Sequence, residues 1–154
     1  MGFSKTPTSG PDSPMKDILK IFDESFETIG KLLEESNYSG CSNIATDLIT
    51  ISGMSEFGDG VFIGEVLEGV FDQINTTVGN FTTSEEDIEA LRGQMKEQVA
   101  LVEKTYKNKD KRQLYEALRD LRVVATGFQY KCFWTMKPKK PVRYLLGRKG
   151  RELE

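Results

Sequence analysis

Residues 13–33 read SPMKDILKIFDESFETIGKLL, and Met15, Ile18, Leu19, Phe22, Phe26, Ile29 and Leu33 recur there at helical spacing. At about 100° per residue these seven side chains form one stripe, while Lys16, Lys20, Glu24, Glu27 and Lys31 lie on the other side. Ser13 followed by Pro14 supplies an N-cap and a first-turn proline. An amphipathic helix must bury its stripe against other elements, so the rest of the chain is read for partners of the same kind.

Downstream, Asn37 to Gly40 is turn chemistry. Ser42 or Asn43 then caps a short helix carrying Ile44, Leu48 and Ile51, which Gly53 stops. Residues 52–60 hold three glycines around Phe57 and read as a loop. A third helix carries Ile63, Leu67, Val70, Ile74 and Val78, widened by Val66 and Phe71. Gly64 and Gly69 weaken it by about 1 kcal/mol each relative to alanine, and each either permits a close helix contact or is a tolerated cost. Thr83 with Glu86 makes a capping box for a fourth helix bearing Ile88, Leu91, Met95, Val99, Val102 and Tyr106.

Asn108, Lys109 and Asp110 form a short turn, which sets the fourth and fifth helices antiparallel. The fifth carries Leu114, Leu118, Leu121, Ala125, Phe128 and Cys132. After Gly127 a second pattern competes, because Phe128, Tyr130, Cys132, Trp134 and Met136 alternate as a strand would. Val142, Tyr144 and Leu146 are then available as a hairpin partner. Helix through about Met136 is preferred, since the stripe enters this segment without a change of phase. The expected fold is all-α, an up-and-down helical bundle of four main helices plus one short helix over 13–136, with a disordered tail over 1–12 and a basic tail over 137–154.

The 154 residues suffice for one core without disulfide or metal support. The net charge of −3 conceals a sorted layout, for no lysine or arginine lies between Leu32 and Leu91, while residues 131–154 carry eight cations and two carboxylates. Opposite blocks of this kind either face each other within the fold or present opposite patches to partners. There is no histidine, which removes the commonest general base and the usual zinc ligand. Cys41 and Cys132 are too distant in sequence for a redox pair or a disulfide framework. With no secretion signal and no long apolar run, the expected place is the cytoplasm, without a membrane span.

Three groups of residues invite chemistry. Glu24 and Glu27, spaced as ExxE, precede Glu56 and Asp59, spaced as ExxD, by 28 residues. This spacing resembles the carboxylate signature of the all-α nucleoside triphosphate pyrophosphatases of the MazG type. The resemblance implies that the four carboxylates hold magnesium, which would bind a triphosphate and help generate the attacking hydroxide. A second set, Glu65, Glu68 and Asp72, shares one face of the third helix opposite its apolar stripe, where solvated charges belong.

The third group is Phe133, Trp134, Lys137, Lys139, Lys140, Arg143, Tyr144, Arg148 and Lys149, with Lys131 and Arg151 at its ends. Interleaved cations and aromatics suit an acidic protein surface, or the phosphates and bases of RNA or single-stranded DNA. If helical, Phe133 and Trp134 project away from the buried stripe and need a tail, a second copy or a partner to cover them. The expectation is therefore a non-enzymatic interaction or adaptor module, with a protein as partner, a homodimer included, and no cofactor. Nucleic-acid binding and a magnesium-dependent pyrophosphatase are the alternatives.

Overall fold

The computed structural model describes residues 13–139, with side chains from Lys16 onward. The tail over 1–12, the residues Lys140, Arg143, Tyr144, Arg148, Lys149 and Arg151, and the hairpin positions Val142, Tyr144 and Leu146 lie outside the described residues. Five helices follow in order: α1 (Ser13–Glu34), α2 (Tyr38–Met54), α3 (Gly58–Asn80), α4 (Glu85–Lys107) and α5 (Lys111–Thr135). The fold is an all-α bundle, and α2, with 17 residues, is the shortest member.

Side-chain partners show how the helices run. Asp23, Glu34 and Ser36 meet Tyr106, Lys96 and Arg92, so α1 and α4 are antiparallel. Ser42 and Thr46 meet Asp72 and Glu68, so α2 and α3 are antiparallel as well. Asp59 meets Lys111 and Gln73 meets Gln129, which makes α3 and α5 parallel. Close neighbours form a ring, α1–α2–α3–α5–α4 and back to α1. Phe22, Ile29 and Leu33 from α1 fill the centre with Leu67, Phe71, Met95 and Leu121, all with no more than trace exposure.

Three of the four turns share one construction. In each, a non-glycine residue takes a left-handed conformation: Ser36 (φ 55°), Glu56 (φ 56°) and Lys109 (φ 59°). The next amide reaches back five residues, Asn37 to Leu32 (2.8 Å), Phe57 to Ser52 (2.8 Å) and Asp110 to Thr105 (3.3 Å), which closes the preceding helix as a Schellman motif. Asn37 and Asp110 then cap the following helix by accepting from the amides of Gly40 (2.8 Å) and Gln113 (3.1 Å).

Several boundaries differ from the expectation. α2 begins at Tyr38 rather than after Ser42 or Asn43, because Asn37 makes the cap. Its buried stripe is Cys41, Ala45, Leu48 and Ser52, in which Leu48 is the one large side chain, with Ile44 and Ile51 half-buried. The loop expected over 52–60 shrinks to residues 55–57, because Gly58 and Gly60 begin α3. α4 is capped by Ser84, whose Oγ accepts from the Asp87 amide at 3.1 Å, one residue later than the Thr83–Glu86 pairing. The strand pattern after Gly127 loses to the helix, which runs to Thr135.

The α3–α4 connection is the exception to hairpin construction. Since α5 sits between α3 and α4 in the ring, residues 81–84 cross over its C-terminal end. They are pinned there by an antiparallel bridge between Phe81 and Pro138. The Thr82 amide donates to the Lys137 carbonyl (2.9 Å), and the Lys139 amide donates to the Asn80 carbonyl (2.7 Å). Residues 137–139, expected to begin the tail, are thus hydrogen-bonded into the fold.

Candidate functional site

The close of α5 is where fold and candidate residues coincide. Phe133 leans on the crossing connection, edge to face with buried Phe81 at a centroid distance of 5.2 Å. Lys131 donates to Asp87 Oδ1 at 2.8 Å, beside the Ser84 cap of α4. That hydrogen bond, with Ser84 second, holds the Asp87 carboxyl below the usual carboxylate range and raises the Lys131 ammonium above its ordinary value. Lys139 sends its Nζ toward the Val78 carbonyl at 3.4 Å, at the last turn of α3. Of the expected binding residues in the described range, Phe133 and Lys139 therefore have partners inside the fold.

Trp134 has none of this support, and 83% of its surface is exposed. Two further side chains share its position on the helix, Tyr130 at 63% and Val123 at 62% exposure. At about 100° per residue the three lie within roughly 40° of one another, on the side of α5 opposite Leu114, Leu118, Leu121 and Ala125. Interleaved cations and aromatics mark the C-terminal segment but do not single out Val123 and Tyr130. The missed signal is a second apolar stripe on a helix whose first stripe is already buried.

Sorted charge blocks do meet across the fold. Lys96 pairs with Glu34, Lys111 with Asp59 (3.7 Å) and Lys131 with Asp87 (2.8 Å), each joining the cation-free stretch to a later helix. These pairs are solvent-exposed and screened by water, so each contributes little to stability. Glu65 and Asp72 are exposed and Glu68 is half-buried, and Asp72 and Glu68 also accept from Ser42 (2.6 Å) and Thr46 of α2.

The four carboxylates of the ExxE and ExxD spacing are not gathered. Glu24 and Glu27 are exposed on α1, and Glu56 is exposed at its left-handed turn position. Asp59 faces Lys111 in the first turn of α3. Among the described residues no three carboxylate, cysteine or histidine side chains converge on a point a cation could occupy. The physical reason lies in α1, where Phe22 and Phe26 point inward and oblige Glu24 and Glu27 to point out.

At the opposite end of the bundle, a cavity of about 450 Å³ opens between the starts of α3 and α5 and the flank of α1. Leu19, Phe57, Ile63 and Leu114 give it apolar walls. Much of its polar lining is paired: Tyr106 donates to Asp23 (3.1 Å), Lys107 bridges Asp23 (3.2 Å) and Glu103 (3.0 Å), and Lys111 faces Asp59. Burial, then the neighbouring Asp23, pushes the Tyr106 phenol up, which keeps it protonated as that donor. Burial also pushes the Cys41 thiol up to about 12, so it is no nucleophile.

The chain matches no protein-family model, no curated protein and no solved structure. Among the described residues no helix is long and apolar enough to cross a membrane.

Proposed function

We propose that this protein is a helical scaffold that works by docking another protein on the outer face of α5. One observation carries the reading: Val123, Tyr130 and Trp134 form an exposed apolar stripe on the side of α5 turned away from its own core. Exposed aromatics of this size are enriched where proteins bind and unfavourable to leave in water. Arg119 and Lys137 are exposed near the stripe and supply a charged rim.

The test is site-specific photo-cross-linking from position 130 in the full-length chain, with position 50 on exposed α2 as the control site. Cross-linked product from position 130 alone is expected, and it should vanish when Val123→Ser and Trp134→Ala are added. No product of any mass from position 130 would overturn the reading.

A further inference from the structure

Resting on that docking face, we propose that its occupant is a second copy of this chain, with two α5 helices antiparallel about a two-fold axis between Thr126 and Gly127. The outer face of α5 is self-complementary about that point. A two-fold there sets Val123 of one copy opposite Tyr130 of the other, Arg119 opposite Trp134, and Glu116 opposite Lys137. The inner pair is apolar, the next is a guanidinium over an indole, and the outermost is an acid against a base.

All six side chains are exposed, and Glu116 and Arg119 would exchange their surface pairings with Arg112 (3.4 Å) and Asp120 (3.3 Å) for partners across the two-fold. Helical spacing keeps Glu116, Arg119, Val123, Tyr130 and Trp134 on one side of α5, and Lys137 follows just beyond its last turn, after extended Met136.

Gly127 is compatible with the same contact. A side chain added there would meet nothing within 4 Å, as is also true of Gly69 and Gly93 in other helices. Glycine at an exposed helix interior costs about 1 kcal/mol relative to alanine. Across the two-fold, Gly127 stands opposite Thr126, where a missing side chain lets the helices approach. An isologous contact matches both ends, since each patch meets its own copy reversed.

Sedimentation equilibrium on the full chain tests the pairing, and oxidation of cysteine variants tests the register. A reversible dimer is expected, weakened at least about tenfold by Val123→Ser with Trp134→Ala, with the thermal midpoint unchanged at concentrations where both proteins are monomeric. Glu116→Lys should weaken it several-fold, and adding Lys137→Glu should restore it. An equal mixture of Val123→Cys and Tyr130→Cys should cross-link faster than either variant alone, the native Cys41 and Cys132 being buried.

A monomer at every concentration overturns the proposal, as does a dimer indifferent to Trp134→Ala. Faster cross-linking of either cysteine variant alone overturns the antiparallel register. Photo-cross-links from position 130 to a chain of foreign mass, with a monomer in sedimentation, remove the second copy and leave the docking face standing. No cross-link of any mass removes both.

Discussion

Ser36, Glu56 and Lys109 each hold φ near +55 to +60°, at the three places where a helix ends and another begins within three residues. Left-handed backbone costs a residue with a Cβ about 1 kcal/mol or more. Glu56→Gly removes that strain and gives back part of the gain through the freer unfolded chain, so stability should rise by about 0.5–1 kcal/mol. Urea unfolding of the variant, with Glu56→Ala as a neutral control, reads this directly. At the same scale, Asp87 and Lys131 set a pH window.

The Asp87 carboxyl is held down, so its contribution is complete above the ordinary carboxylate range and fades as pH falls through its lowered value. Lys131 is raised, so its share is complete below the ordinary lysine range and is lost as pH rises through its raised value. Comparing the wild type with Lys131→Met, the stability difference should be flat between roughly pH 5 and pH 10 and shrink on both sides. A difference independent of pH throughout would exclude the pair as its source.

Between elements, α2 and α3 make the closest contact in the bundle, and two glycines in α3 respond to it differently. A Cβ on Gly64 would lie 3.1 Å from the Ile49 amide nitrogen and 3.2 Å from the Ala45 carbonyl oxygen, both fixed backbone of α2. Gly69, five residues on, would meet nothing. Gly64→Ala should therefore cost about 1–3 kcal/mol by forcing the helices apart. Gly69→Ala should instead stabilise by about 1 kcal/mol through helix propensity alone. Chemical denaturation of the two variants should shift in opposite directions, and a shared direction would show that the helix contact is not what separates them.

At the scale of the whole molecule, the crossing of residues 81–84 over the end of α5 closes the ring. Thr82 contributes an amide to the Lys137 carbonyl, and Lys139 returns one to Asn80. Thr82→Pro deletes the first donor without touching any helix, and should lower stability by about 1–3 kcal/mol. Faster amide exchange at Lys139 than at mid-α5 residues is expected in the variant. Thr82→Ala, which keeps the amide, should change little; equal losses from both substitutions would assign the effect to the side chain.

Periodicity alone determined that the chain is all-α and which face of α1, α3, α4 and α5 is buried, because an apolar stripe at helical spacing has one economical solution. It also resolved the ambiguity after Gly127 in favour of helix. Loop limits were hidden, since glycine signals both left-handed turns and close approach. Here Gly60 and Gly64 serve the second role, while Ser36, Glu56 and Lys109 take the first. Local pattern says which face of a helix is apolar but not which neighbours remain to cover it. Only the tertiary structure decided the ring order, the crossing over α5, the separation of Glu24, Glu27, Glu56 and Asp59, and the uncovered stripe of Val123, Tyr130 and Trp134, since each depends on residues far apart in sequence.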